Sequence, residues 1–313
     1  MNFLSKLLTG LLLLLCVAGC ASKENNNAEK ENAPATTKLK NFERPTPPAL
    51  LTSTQDIASY LISHFWDKFD FSDTMYCHAP EITEQGFVDF INLFTFTSPD
   101  KVSQGVKKML DSAEESIVVY NYFLNLAEHY LYNPNSSFRN DEFFIYFLEH
   151  VVYSTKVVED NKARHKYILD LANKNRIGTK ALDFVYTLNS GKTGNLYSIY
   201  SDYVLLMFFN PDCLECRNTL SELKNAPEVT AAISSGRLKA LTVYVDEDIE
   251  IWKNHLNEVP SSWINGYDKS LSIKSNEIYD TKAIPTLYLF DKNKTVILKD
   301  TSVGAINAYL GSI

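Results

Sequence analysis

From Ser53 to about Asn175, apolar residues recur at three- and four-residue intervals, the repeat of helices that bury one face. Ile57, Tyr60, Leu61, His64 and Phe65 form one such stripe, and Ser53 with Asp56 three residues on reads as the N-cap pair that starts it. Phe87, Phe90, Ile91 and Phe94 form a second stripe. Ser98-Pro99 opens a third, carrying Val102, Val106, Met109 and Leu110, because a proline lacks only an N–H that the first turn cannot use. Ile117 to Leu131 is apolar on most sides, which predicts the central buried helix. Asn133 to Ser137 is a turn, Asn140 opens a helix with Phe143, Phe144 and Phe147, and Tyr167, Ile168 and Leu171 mark a last one. The pattern predicts an all-α domain of five or six helices over 51–175, its aromatic stripes forming the core.

After Ile177-Gly178 the period changes. Phe184-Val185-Tyr186 and Leu196 to Ile199 flank the turn Ser190 to Gly194, which predicts a hairpin. Tyr203 to Phe209 is a continuous apolar run, as expected of a strand buried on both faces. A helix through Leu220 and Leu223 follows, then a strand over Leu238 to Val245 and a helix over Ile249 to Leu256. Strands over Ile284 to Phe290 and Thr295 to Leu298, joined by a turn at Asp291 to Lys294, precede a final helix over Val303 to Leu310. Strands and helices thus alternate over 178–313, an α/β arrangement.

The N-terminus belongs to targeting. Lys6, the apolar run Leu7 to Val17 and the small residues Ala18 and Gly19 read as a signal peptide over 1–19, too short for a comfortable membrane span. Cleavage near Ala18 or Ala21 is one reading. Val17-Ala18-Gly19-Cys20, however, resembles the bacterial lipobox, whose cysteine becomes the lipid-bearing first residue of the mature chain. Three acyl chains on Cys20 would anchor it stably, where a single chain would bind only marginally. Ala21 in place of Asp implies the outer membrane under the common Gram-negative sorting rule, facing the periplasm, and Ser22-Lys23-Glu24 resembles the short charged signals that send some lipoproteins to the surface. Residues 20–50, rich in Asn, Lys, Glu, Thr and Pro, cannot bury enough surface to offset their ordering entropy and read as a disordered tether.

The 313 residues carry a formal charge of -8 without a basic block, which argues against nucleic-acid partners. Of five cysteines, signal cleavage removes Cys16 and lipidation consumes Cys20, leaving Cys77, Cys213 and Cys216. That is too few for a disulfide scaffold and suits one working pair outside the cytoplasm. Cys77 reads as an idle or buried thiol, and the isolated histidines as core or surface residues. Cys213-Leu-Glu-Cys216 taken alone is a zinc half-site, a chance pair or a redox couple. Zinc needs two further ligands, and this domain offers only His255. Placement favours redox chemistry, because Cys213 follows a buried strand and starts a helix, where unpaired N–H groups and the dipole favour a thiolate. The Ile284-Pro285 pair at the head of a sheet strand points to a special turn and suits a cis proline.

This order of strand, Cys-x-x-Cys at a helix start, βαβ, then Ile284-Pro285-Thr286 before a hairpin and a closing helix resembles thioredoxin. The export signal, the hairpin at 183–199 and the long segment before Pro285 are more similar to the TlpA-like branch of exported oxidoreductases. The stretches Trp263 to Asp268 and Ile284 to Leu289 resemble lipoproteins in which an uncharacterised helical domain precedes such a module. The resemblance implies a central mixed sheet with flanking helices, Cys213 as attacking thiol, Cys216 as resolving thiol, and Ile284 with Pro285 as the substrate-facing turn. It also implies protein thiol or disulfide clients, an extracytoplasmic electron donor, and no cofactor beyond the Cys213–Cys216 couple. The chain departs from the pattern at Asp212, where Trp is usual, at Met207, where thioredoxin has a buried acid, and at Thr219, where some TlpA-like enzymes carry Glu. The match therefore assigns no residue to proton handling. Asn210 stands where a peroxiredoxin needs Thr, which excludes that chemistry. Asp212 and Glu215 disfavour negative charge at Cys213 while Arg217 and the helix N-terminus favour it, a balance that predicts a reductant or isomerase-like exchanger. The alternative is a non-catalytic binding or scaffold lipoprotein with a static disulfide.

Overall fold

In a computed structural model of the chain, residues 41–313 are described; the segment read as a signal peptide, Cys20 and most of the segment read as a tether lie outside them. The helical part comprises α1 (Thr54–His64), α2 (Thr83–Asn92), α3 (Pro99–Ala113), α4 (Ile117–Ala127), α5 (Asp141–Tyr153) and α6 (Ala163–Ala172). Local chemistry sets the starts. Ser53 Oγ accepts from Asp56 N at 3.0 Å, and Asn140 Oδ1 accepts from Phe143 N at 3.1 Å. Among the described residues no helix is long and apolar enough to cross a membrane.

The core of this part is aromatic. Trp66 meets Phe123 edge-on with ring centroids 5.0 Å apart, and Phe69, Phe71, Phe87 and Phe90 close around them. Gly105 lets α3 approach α1 closely, since a Cβ there would stand 2.2 Å from Ile62 Cγ2.

Three details correct the sequence reading. The buried face of α1 is Ala58 and Ile62, continued by Phe65 beyond the helix, while Tyr60 and His64 pack on each other outside the core at 4.5 Å. The helix expected to be the central buried one is exposed at Ile117 and Val118; Val119, Tyr120, Phe123, Leu126 and Ala127 are buried, with Tyr122 and Leu124 partly buried against the core, before a π-helical turn at Glu128–Tyr132. The ordered body also begins ahead of residue 51. Phe42 is buried and stacks on Trp66 at 5.2 Å, and Arg44 lies over the rings of Phe42 and Phe65 and pairs with Asp89 at 3.3 Å. One aromatic side chain and one arginine are enough to dock a segment whose average composition is that of a linker.

The α/β part is a seven-stranded sheet in the order β2-β1-β5-β4-β3-β6-β7. Its strands are β1 (Val185–Leu188), β2 (Thr193–Asn195), β3 (Tyr203–Phe209), β4 (Leu238–Tyr244), β5 (Ile264–Tyr267), β6 (Thr286–Asp291) and β7 (Val296–Lys299). β3, β4 and β5 run parallel and the other neighbours are antiparallel, giving the mixed sheet expected. The helices are α7 (Leu214–Asn225), α8 (Pro227–Ser234), α9 (Ile249–Asn254), α10 (Ser272–Ser275) and α11 (Val303–Gly311). β3 is central. Leu205, Met207 and Phe209 face the core shared with α7, α8 and α11, and Val204, Leu206 and Phe208 face a second core with Phe184, Tyr279 and Tyr288. The second arm of the first hairpin is shorter than expected, because Leu196–Ser198 turns into a single 3₁₀ turn closed by a reciprocal cap between Asn195 and Ser198.

The two parts are joined by buried charge. Arg139 pairs with Asp300 at 2.9 Å, and Lys299 pairs with Asp141 at 3.3 Å. Lys299 Nζ also donates to the carbonyls of Ala172 and Lys174, at 3.0 and 3.2 Å, at the end of α6. Burial pushes the Asp300 carboxyl above its usual range, against the pull of Arg139. Near the cis-proline turn, Tyr167 Oη donates to Glu277 at 2.6 Å and the Lys282 ammonium lies 3.3 Å over the Tyr132 ring. Removing one partner of a buried pair strands the other charge, so Arg139→Met is expected to cost about 3–5 kcal/mol, read as a lowered urea midpoint. An unchanged midpoint would show that the junction is not held by this pair.

Candidate active site

β3 delivers the site. After Phe209 the chain turns at Asn210-Pro211-Asp212, where Asn210 Oδ1 accepts from Asp212 N at 2.9 Å and Asn210 O accepts from Cys213 N at 3.0 Å. This turn places Cys213 at the N-cap of α7 in an extended conformation, with its carbonyl receiving Arg217 N at 3.2 Å. The Cys213 thiol is half-buried at the positive end of a twelve-residue helix. Its Sγ donates to the Ile284 carbonyl at 3.8 Å, and the Ile284–Pro285 peptide is cis. Cys213, Ile284 and Pro285, 71 residues apart at the sulfur–carbonyl contact, are thus brought together.

Cys216 lies one turn further in, fully buried in the core of the α7 face. Burial pushes its thiol up to about 12, while Asn210 N, donating to Sγ at 3.5 Å, works the other way. Both cysteines are free thiols, as is Cys77, which sits partly buried in the 3₁₀ turn Thr74–His78. Burial, with Asp73 nearby, raises the Cys77 thiol.

The three residues expected to tune the couple separate in role. Glu215 is exposed in the first turn of α7. Asp212 is exposed and faces His255, with Oδ1 4.0 Å from Nε2. Arg217 is committed elsewhere, since Nη1 donates to the Pro211 carbonyl at 2.6 Å and so braces the turn. Met207 is buried in the apolar core, so β3 offers no acid beneath the pair. Asp246, just beyond the end of β4, was not singled out in the sequence. Its Oδ2 accepts from Asn210 Nδ2 at 2.7 Å, and Oδ1 is ion-paired with Lys274 from α10. The signal available was position alone, because functional groups gather beyond the carboxyl ends of parallel strands. Among the described residues no three His, Cys, Asp or Glu side chains are grouped to hold a metal ion. Cys20 lies outside the described residues.

Residues 201–296 match the family model described as thioredoxin-like, and residues 19–175 match that of a domain of unknown function, DUF5106. The chain is similar to a thioredoxin-like protein from Bacteroides caccae, at 44% identity over 88% of this chain and 99% of that one, with a TM-score of 0.85. It is also similar to the C-terminal domain of an uncharacterised protein from Bacteroides fragilis, at 47% identity over 44% of this chain and 98% of that one, with a TM-score of 0.43. The thioredoxin domain of a thiol-disulfide oxidoreductase from Bacteroides vulgatus matches at 20% identity over 44% of this chain and 96% of that one, with a TM-score of 0.39. No curated protein matches the chain.

The thiolate, not the thiol, is what an alkylating agent attacks. With its thiol pushed up to about 12 and its sulfur buried, Cys216 is expected to be modified by iodoacetamide at neutral pH far more slowly than Cys213. Because the folded value lies above the unfolded one, Cys216 binds its proton more tightly when folded, and stability of the reduced protein should fall as pH rises from the ordinary thiol range towards about 12. Equal alkylation of the two thiols, followed by mass spectrometry, would contradict the asymmetry.

Proposed function

This chain belongs to the thioredoxin-like proteins and to the DUF5106 family, and we propose that it is a thiol–disulfide oxidoreductase working through Cys213 and Cys216. The observation that carries the reading is the asymmetric pair. A half-buried thiol at a helix N-terminus faces the carbonyl ahead of Pro285, and a second thiol waits buried one turn behind it.

The chemistry follows from that order. The Cys213 thiolate attacks one sulfur of a client disulfide, the client S–S bond breaks, and the departing thiolate takes a proton. Cys216 then gives up its proton and attacks Cys213, expelling the second client sulfur as a thiol. The client gains two electrons and two protons, and the protein is left as the Cys213–Cys216 disulfide. A dithiol donor outside the cytoplasm restores it by the reverse exchange. Ile284 and Pro285 form the wall against which the client lies, and Leu214, exposed beside the thiol, adds an apolar contact.

Asp212 and Glu215 flank Cys213 in sequence while Arg217, the nearby cation, is occupied at Pro211, which supports a reductant or isomerase-like exchanger. A lipid on Cys20 would tether the enzyme in a bacterial envelope, at the outer membrane facing the periplasm or on the cell surface, through the segment before Phe42. The docking of the helical part beside the turn that leads to Pro285 supports a role for it in receiving the client or the electron donor.

Three measurements test this reading. Cys216→Ser is expected to accumulate mixed disulfides with client proteins and Cys213→Ser none; capture by both variants alike would sink the assignment. The couple, equilibrated with glutathione buffers, is expected nearer to about −270 mV than to about −120 mV, and a value above about −180 mV would overturn the direction. Cells expressing the full chain should label it with palmitate and Cys20→Ser should not; an unlabelled wild type removes the anchor.

A further inference from the structure

Resting on the redox reading of Cys213 and Cys216, we propose that Asp246 is a positioning residue for resolution: by holding the Asn210 side chain it keeps the Asn210 main-chain N–H aimed at the Cys216 sulfur. The need for such a device comes from where Cys216 sits. Its side chain is fully buried in the same apolar core as Leu220, Leu223, Met207 and Leu287. Before it can attack Cys213 it must give up a proton, and an apolar surrounding disfavours the thiolate that results. The contact that offsets this is the Asn210 N–H, 3.5 Å from Sγ. Asn210 is a loop residue beyond β3, so nothing in the sheet ladder fixes the direction of that N–H.

Its side chain does so instead, because both ends of the amide are used. Oδ1 accepts from Asp212 N at 2.9 Å and Nδ2 donates to Asp246 Oδ2 at 2.7 Å. The first bond ties Asn210 to its own turn. The second ties it to a different strand, since Asp246 follows β4, and Asp246 is held in turn by Lys274 of α10. Three segments distant in sequence converge on one amide. The charge of Asp246 is not what helps, because a carboxylate near Cys216 works against its ionisation and so adds to the effect of burial. What helps is the accepted hydrogen bond, with Lys274 neutralising the carboxylate that supplies it. The assignment thus predicts that the bond matters and the charge does not.

The step concerned is the second one. In the mixed disulfide of Cys213, Cys216 releases its proton to solvent, its sulfur bonds to Cys213 Sγ, the bond to the client sulfur breaks, and the client thiolate departs and is protonated. An aromatic disulfide, 5,5′-dithiobis(2-nitrobenzoic acid), used below one equivalent on the reduced full chain, reports both steps, because attack by Cys213 releases one coloured thiolate and resolution by Cys216 releases another. Asp246→Ala is expected to slow the second release about tenfold, the loss of one hydrogen bond of about 1–1.5 kcal/mol, with the first release within about twofold of wild type. Asp246→Asn, which keeps an oxygen for Asn210 Nδ2 while removing the charge, is expected to restore the second release to within about threefold of wild type. An unchanged first release shows that the variant is folded at the site. A second release unaffected by Asp246→Ala, equal slowing of both releases, or Asp246→Asn behaving like Asp246→Ala would each overturn the proposal. A wild-type protein that releases no coloured thiolate, or only one, overturns instead the oxidoreductase reading and this proposal with it.

Discussion

Everything about the site's position follows from the burial of β3 on both faces. Alternate residues of Tyr203–Phe209 face two separate apolar cores, so the strand cannot slide by one residue without exchanging every side chain between them. Parallel pairing from Tyr203↔Leu238 to Phe209↔Tyr244 on one side, and antiparallel pairing with β6 on the other, lock that register. Fixing β3 fixes where it ends. Asn210 must turn there, Cys213 must start α7, and the head of β6, paired through Phe208↔Thr286, must bring Pro285 alongside. A hydrophobic constraint thereby sets the distance between a sulfur and a carbonyl that have no sequence proximity.

Much of this was legible in the sequence because it depends on local rules. The uninterrupted run of β3, the cap residues of α1 and α5, and the proline at the head of β6 each carry their meaning within a few residues. β5 did not. Ile264-Asn-Gly-Tyr267 has the composition of a turn, and it is a strand because β4 pairs with it on one side and β1 on the other. Gly266 is required by that packing, since a Cβ there would lie 2.9 Å from Tyr186 Cδ2 and 3.2 Å from the Thr187 carbonyl. Such a demand comes from a residue eighty positions away and leaves no local mark. The docked Phe42 and the offset of the α1 stripe have the same origin, a partner supplied by tertiary structure rather than by periodicity.

The site divides in the same way. Cys213, Cys216 and Pro285 are marked by residue types that are costly to place without a reason, and the spacing reports them. Asp246 and Lys274 are ordinary charged residues whose relation to Asn210 exists only once β4 and α10 are folded against the turn. Arg217 shows the converse, for a cation one turn into the helix invites an electrostatic role, yet its guanidinium is spent on the Pro211 carbonyl.

The last carbonyls of a helix have no partner inside it and must find donors elsewhere. Leu169 and Leu171 of α6 find them in the N–H groups of Asn173 and Lys174, whereas the Ala172 carbonyl accepts from Lys299 of the final hairpin of the sheet, which also reaches Lys174 just beyond the helix. The cap of the helix that closes the helical half is therefore completed by a residue of the α/β half. The last turn of the helical half is thus finished by the sheet, so a change that loosens the final hairpin would be felt at the end of α6.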